Sequence, residues 1–199
     1  MNRDVELLYE LGMLRHLPRQ WNRFGGVNFA NLADHHFRVT WLALVIAGYE
    51  KADVDIAKIM KMALVHDVGE SRTNDVDYIS RQYVERNEVL ALNDTFAGTV
   101  LEEEFKLLVE EYEERKSLES QIVKDADQLD VDLEIQEQDA NGVKIKEWLK
   151  HRDHVAENFF FTETAKKLYK QIYKSTPHDW HTNSERNRVN GGDWKKQDS

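Results

Sequence analysis

Apolar residues recur along most of this chain at three- and four-residue intervals, the period of a helix that buries one side. Residues 3–16 predict a first helix with Val5, Leu8, Leu11 and Leu14 on its buried face. The pattern lapses over 17–30, where Gly25-Gly26 marks the turn of a loop. Asn31 then offers an N-cap, and Asp34 three residues on can return a bond to it, so a second helix is expected from Asn31 to about Gly48. His35, Val39, Leu42 and Ile46 share its core-facing stripe, and Trp41 is also expected in the core. Asp53 is expected to cap a third helix, in which Ile59, Ala63 and His66 line one face and Gly69 makes the stop.

Further helices are predicted over 82–92, 97–115, 117–138, 143–152 and 162–175. In the acidic stretch around EEEF…EEYEERK, Phe105, Leu108, Val109 and Tyr112 face inwards and the charges form a solvated side. The result is an all-α, compact single domain over residues 1–177, bracketed by the two prolines, Pro18 and Pro177. A polar segment over 178–199, with Gly191-Gly192, is expected to be a surface strap or a disordered tail.

Composition narrows the chemistry. A chain of 199 residues is long enough to bury a core without staples. With no cysteine, any metal must be held by His, Asp, Glu or water. A formal charge of −10 disfavours a nucleic-acid polymer as partner, but it leaves room for a small phosphorylated substrate in a locally positive pocket. No run reaches the ~18 apolar residues of a membrane span, and MNRDVELLYE lacks the form of a signal peptide, so the expected setting is cytoplasmic.

The candidate chemistry centres on His66-Asp67, with Glu70 and Asp75 close behind. An imidazole and a carboxylate at one helix end can grip one divalent ion, and such an ion offsets an aspartate placed against the helix dipole. A second dipeptide, His178-Asp179, has no apolar helix behind it. Further ligands must come from elsewhere in the chain. His35 lies on an apolar stripe, and His36 competes with it. In KDADQLD both Asp127 and Asp130 are available, and periodicity puts Asp130 nearer the apolar side. His151, Asp153 and His154 are expected at a solvated helix end, and there is no glycine-rich phosphate loop.

Taken together, ADHHFRV (33–39), HDVGES (66–71) and KDADQLD (124–130) resemble the H…HD…D signature of the HD-domain metal-dependent phosphohydrolases. The likeness covers roughly residues 3–175 and is greatest to the compact 5′-deoxynucleotidase branch. It implies His35, His66, Asp67 and Asp127 as ligands of one divalent ion (Mn, Co, Zn, Ni, Fe or Mg). It also implies Glu70 as the residue that positions or deprotonates water, and Asp75 as an aid to proton transfer at the leaving 5′-oxygen or as a contact to the sugar. Arg19 would hold the substrate phosphate, and Trp21 would wall off the sugar. The implied activity is removal of the 5′-phosphate from deoxyribonucleoside monophosphates by a homodimer. Hydrolysis of another nucleotide (a triphosphate, a cyclic nucleotide or an alarmone) is the alternative, as is a nucleotide-binding module without turnover. The chain departs from the branch in Val68-Gly69, in His36, and in one extra residue between Arg19 and Trp21.

Overall fold

Local capping and apolar stripes set the helices of this computed structural model, which describes residues 1–25 and 29–184, the side chains of 146–149 excepted. Helix α1 (Asn2–Leu11) runs into a 3-10 segment (Gly12–His16), and α2 (Asn22–Gly25) is a single turn. Then come α3 (Leu32–Tyr49), α4 (Ile56–Val65), the short α5 (Glu70–Thr73) and α6 (Glu88–Phe96). The chain continues through α7 (Glu102–Glu114), α8 (Leu118–Ala140), α9 (Lys146–Asn158), α10 (Glu163–Ile172) and the short α11 (Asp179–Thr182). Among the described residues no sheet forms. Pro18 and Asn31 make one isolated antiparallel bridge.

The capping box at Asn31 is present: Asp34 N–H donates to Asn31 Oδ1 at 3.0 Å, and Asn31 N–H donates to Asp34 Oδ2 at 3.3 Å. Other boundaries differ from expectation for local reasons. Asp55, not Asp53, caps α4, because its Oδ1 takes the N–H of Lys58 one turn before the first buried residue, Ile59. Asn87 caps α6 in the same way, so the helix starts later than 82. Helix α7 begins at Glu102 after a turn in which Gly98 takes a φ of 73°. Gly69 does not act as a left-handed stop. Its φ is −57°, and the chain turns through it directly into α5.

Two faces are corrected. Helix α1 buries Leu7, at 3% exposure, and leaves Val5 and Leu8 half or more open, because it ends at Gly12 and the 3-10 segment resets the phase before Leu14. Trp41 is 57% exposed and lies opposite the buried stripe of Leu32, Val39, Ala43 and Ile46. Gly26, Gly191 and Gly192 lie outside the described residues, as does the polar segment beyond Ser184.

The core forms where α3, α4, α7 and α10 pack around α8. Ile59, Met62 and Ala63 of α4 meet Ile122, Val123, Ala126 and Leu129 of α8 in one cluster with the α3 stripe. Helix α8 is buried on more than one side, so it also carries four buried carboxylates, each matched by a donor. Asp125 accepts the N–H groups of Phe161 and Thr162, Asp132 takes Arg152 through two bonds, and Glu134 accepts the N–H of Ala30 at 2.5 Å. The fourth, Asp130, belongs to the site described next.

Ile46 is fully enclosed where α3 packs on its neighbours. Ile46→Ala should therefore lower unfolding free energy by about 2–5 kcal/mol, read as a drop in the urea midpoint at unchanged m. A loss within experimental error would show that this face is not packed.

Candidate metal centre

Three elements bring four side chains to one point. His35 comes from the first turns of α3, His66 and Asp67 from the end of α4, and Asp127 from α8. Their ligand atoms all lie within 4.8 Å of one another. His35 Nε2 is 3.3 Å from His66 Nε2 and from Asp127 Oδ1, and 3.6 Å from Asp67 Oδ2. His66 Nε2 is 3.3 Å from Asp67 Oδ2 and 3.9 Å from Asp127 Oδ1. Donors that share a first-row ion at roughly 2.0–2.2 Å must stand about 3–4 Å apart, so the spacing suits a single ion.

The outer ring nitrogens fix what the inner ones offer. His35 Nδ1 donates to Asp130 Oδ2 at 2.7 Å, and His66 Nδ1 donates to the Ala63 carbonyl at 2.9 Å. With Nδ1 protonated in both neutral rings, each Nε2 turns a lone pair on the other. Two lone pairs and two carboxylate oxygens facing one another require a cation between them. The titration of the centre says the same. Burial and the charge of Arg19 disfavour a charged His35, yet Asp127, Asp130 and Asp67 outweigh them and raise its pKa well above the usual imidazole value. Burial likewise opposes ionisation of Asp67, but His66 and His35 hold its carboxyl well below the usual range. Asp127 is held down by Lys124, which donates to its Oδ2 at 2.7 Å, and by His35. A proton or a metal ion can supply the missing charge. The His2Asp2 cluster is consistent with a single divalent metal site.

His36 and Asp130, the two competitors in the sequence, are both buried beside the cluster and neither joins the ligand set. The His36 ring lies 4.8 Å from that of His66, its Nε2 has no hydrogen-bond partner, and burial with the neighbouring His66 pushes its pKa well down, so it stays neutral. Asp130 supports His35 and is itself anchored by Arg38 Nε.

A cleft of about 320 Å³ opens beside the ligands and is bordered by Arg19, Trp21, Glu70 and Asp75. His66, Asp67 and Asp127 line it as well, whereas His35 is fully buried behind them. Arg19 is buried. Its Nη1 sits 3.0 Å from Asp75 Oδ2 and 3.9 Å from Asp67 Oδ2, and its Nε lacks a partner. Asp75 also accepts the backbone N–H and the side-chain amide of Gln20, both at 3.1 Å. Asn74, just before it, holds a φ of 62° and ψ of 157°, a region nearly reserved for glycine, so backbone strain accompanies the aiming of Asp75 inwards. Glu70 meets Arg86 at 3.3 Å through Oε1, while its buried Oε2 has no partner. Burial, with Asp67 and Asp75 close by, pushes its pKa up to about 9 against the pull of Arg19 and Arg86.

The cleft carries cations that sequence reasoning missed. Lys124 pairs with Asp127, Arg86 with Glu70 and Glu88, and Arg152 with Asp132. Arg115 differs. It ends α7 in the left-handed region at φ 54°, stacks its Cζ 3.4 Å from the centre of the Tyr112 ring, and keeps a buried Nη1 without a partner. Only the i, i+3 spacing of Lys124 and Asp127 could have been read from the sequence. His151 and His154 are exposed, and His178 lies at the exposed start of α11, 3.1 Å from His181.

A family profile described as HD domain matches residues 11–175. The chain is 29% identical over 187 residues to the 5′-deoxynucleotidase HDDC2 of Dictyostelium discoideum, covering 88% of this chain and 95% of that protein. It is 29% identical over 144 residues to the protein of the same name from Danio rerio, covering 69% and 70%. Among solved structures, a conserved hypothetical protein from Pyrococcus furiosus superposes with a TM-score of 0.72 at 26% identity, over 86% of this chain and 99% of that one.

If Asp130 fixes the tautomer and direction of His35, Asp130→Asn should weaken manganese binding about 10–100-fold, measured by isothermal titration calorimetry. Binding as tight as in the unaltered protein would remove Asp130 from that role.

Proposed function

The chain belongs to the HD-domain family of metal-dependent phosphohydrolases, and from that membership we propose that it is a 5′-deoxynucleotidase acting on deoxyribonucleoside monophosphates. The observation that carries the reading is the convergence of His35 Nε2, His66 Nε2, Asp67 and Asp127 on one point beside a cleft rich in arginine. The name of the relatives from Dictyostelium discoideum and Danio rerio supports the substrate class.

A divalent ion at this centre would supply positive charge for the phosphoryl oxygens and make water acidic enough to ionise near neutral pH. The rest falls to the side chains. Arg19 offers Nε, and Arg115 offers Nη1, as donors without internal partners. Both can hold phosphate oxygens in a site where water does not screen them. Asp75 positions Arg19, since its oxygens are engaged by Arg19 and Gln20; proton transfer at the leaving oxygen would require it to release Gln20. Glu70 accepts the proton of the attacking water at Oε2, the oxygen without a partner. Its high pKa reflects the negative neighbours Asp67 and Asp75 as well as burial, and added positive charge nearby brings it down towards the range useful for a base. Trp21 borders the cleft and flanks the sugar.

A homodimer belongs to the same reading. Phe37, Trp41, Val45 and Tyr49 recur every four residues on the outer face of α3, and Ile56, Met60 and Leu64 do so on α4, which packs beside it. The three aromatics are 57–72% exposed. At 150–250 Å² apiece they alone provide roughly half of the ~800 Å² per partner in a standard interface. A second copy is the simplest cover for such a stripe. A cytoplasmic setting is part of the proposal too, since a chain without cysteine suits a reducing compartment. No helix among the described residues is long and apolar enough to cross a membrane.

A phosphate-release screen of ribo- and deoxyribonucleotides with added manganese, cobalt or zinc tests the activity. Release from deoxynucleoside monophosphates is expected, and release from triphosphates, cyclic nucleotides or alarmones instead would replace this reading. Glu70→Gln should lose about 10²–10⁴-fold in kcat while still binding metal, whereas Asp67→Ala should lose both. Trp41→Glu should convert a dimer to a monomer by light scattering; an unchanged mass would place the interface elsewhere.

A further inference from the structure

Helix α7 closes at Arg115 with a φ of 54°, a conformation that glycine reaches without strain. Gln121 holds the turn from α8 by donating its side-chain amide to the Arg115 carbonyl at 3.0 Å. Glycine would serve the turn as well, so the arginine side chain needs another reason. Its Cζ stands 3.4 Å from the centre of the buried Tyr112 ring, and that ring meets His66 edge-on with centroids 5.7 Å apart. The stack accounts for where the guanidinium lies, but not for Nη1, which is buried without a hydrogen-bond partner. Among the described residues its one ion pair is with Glu113, at 3.8 Å, and that carboxylate is 61% exposed. Such a contact is beyond hydrogen-bond reach and screened by water. Lys124 borders the same cleft from α8, where its ammonium donates to Asp127 Oδ2 at 2.7 Å. Asp127 keeps Lys124 charged against burial and against the opposing charge of Arg115.

Charge decides what this corner can hold. Arg19, Arg86 and Arg152 each have a carboxylate within 3.3 Å, in Asp75, Glu70 and Asp132. Asp67 and Asp127 are the two carboxylates of the ligand cluster, and a divalent ion there would take up the charge of both. Lys124 and Arg115 are then left as two positive charges at the cleft, faced by the exposed Glu113. A doubly charged oxyanion matches them, whereas a singly charged one leaves a cation uncompensated. Arginine suits the position better than lysine would, because its planar fork can stack on Tyr112 and still donate along its edge. We propose that Arg115, with Lys124 beside it, is a charge selector on the Asp127 side of the cleft, favouring a terminal phosphate dianion over a singly charged phosphodiester. The inference deepens the hydrolase reading above and rests on it for the identity of the anion as a phosphomonoester.

The test measures binding by isothermal titration calorimetry on protein loaded with manganese and freed of excess metal. The probes are inorganic phosphate, doubly charged at mildly alkaline pH, and dimethyl phosphate, which carries one charge. The unaltered protein should bind phosphate about tenfold or more tightly than the diester. That preference should fall about tenfold, the size of one charge-assisted hydrogen bond, in two variants: Arg115→Gly, which suits the left-handed turn, and Arg115→Met, which keeps an apolar stem against Tyr112. Arg115→Lys should recover part of it. A damaged fold would weaken both probes alike, so a ratio unchanged in the glycine and methionine variants overturns the proposal. Equal binding of the two probes by the unaltered protein, or binding of neither, overturns it as well. Neither probe has to be turned over, which separates the selector from the parent reading. If phosphate binds through Arg115 while no nucleotide releases phosphate, the selector stands and the nucleotidase reading falls. Release from deoxynucleoside monophosphates with the ratio unchanged in both variants does the reverse.

Discussion

The contact between His35 and Asp130 joins α3 to α8, and most of the functional architecture depends on it. Asp130 is almost wholly buried, so it must be paired, and it is paired twice, by the His35 ring and by Arg38 one turn further along α3. That double contact sets the rotation of α3 against α8. It thereby aims His35 Nε2 at the position that Asp127 reaches one turn earlier on α8. The Ala63 carbonyl does the corresponding work for His66 from within its own helix. The orientation of both rings is therefore a property of the helical scaffold, and the ligand cluster inherits the rigidity of the core beneath it.

Charge is organised in the same economical way. The chain is acidic overall, yet the cleft gathers Arg19, Arg86, Arg115, Lys124 and Arg152. Most of these cations are bound to carboxylates, which lets them sit in a poorly hydrated place and keeps them in fixed positions. Arg19 Nε and Arg115 Nη1 are the exceptions: both are buried and neither has a hydrogen-bond partner. The two non-glycine residues with positive φ among those described are Arg115, which lines this cleft, and Asn74, which precedes Asp75 at its border. Each costs on the order of 1–3 kcal/mol, and neither is explained by the packing of the core.

How much of this the sequence disclosed depends on whether the cause was local. The Asn31 cap and the His35–Ile46 stripe were legible because caps and periods are set within a few residues. The ligands from α4 were legible as a dipeptide at a helix end. Asp127 and Asp130 were not separable by period, since a spacing of three puts both on one side of α8. Burial favours the residue that faces the core, which is the supporter, whereas the ligand must reach the cleft and stays partly open. Resemblance to the family, and not spacing, picked Asp127. Trp41 was misplaced for a related reason: an apolar stripe on the outside of α3 has the same period as the one inside. Arg86 and Arg115 left no local trace, because their meaning lies in groups brought together only by the tertiary fold.

The centre also ties folding to the cation. His35, His66, Asp67 and Asp127 are scattered over more than ninety positions in the unfolded chain, where no common ion can bridge them efficiently. In the folded chain they are held close enough for their lone pairs and negative charges to oppose one another, and the carboxylates of Asp127, Asp130 and Asp67 raise the pKa of His35 against its burial. A ligand that binds only the folded form stabilises it by RT ln(1 + [L]/Kd). A divalent ion held by these residues would act as a clamp as well as a reagent, joining α3, the end of α4 and α8 at one point. The arrangement that makes these groups a poor structural centre on their own is what would suit them to a cation in the native state, and the pairing of Asp130 with His35 holds that arrangement in place.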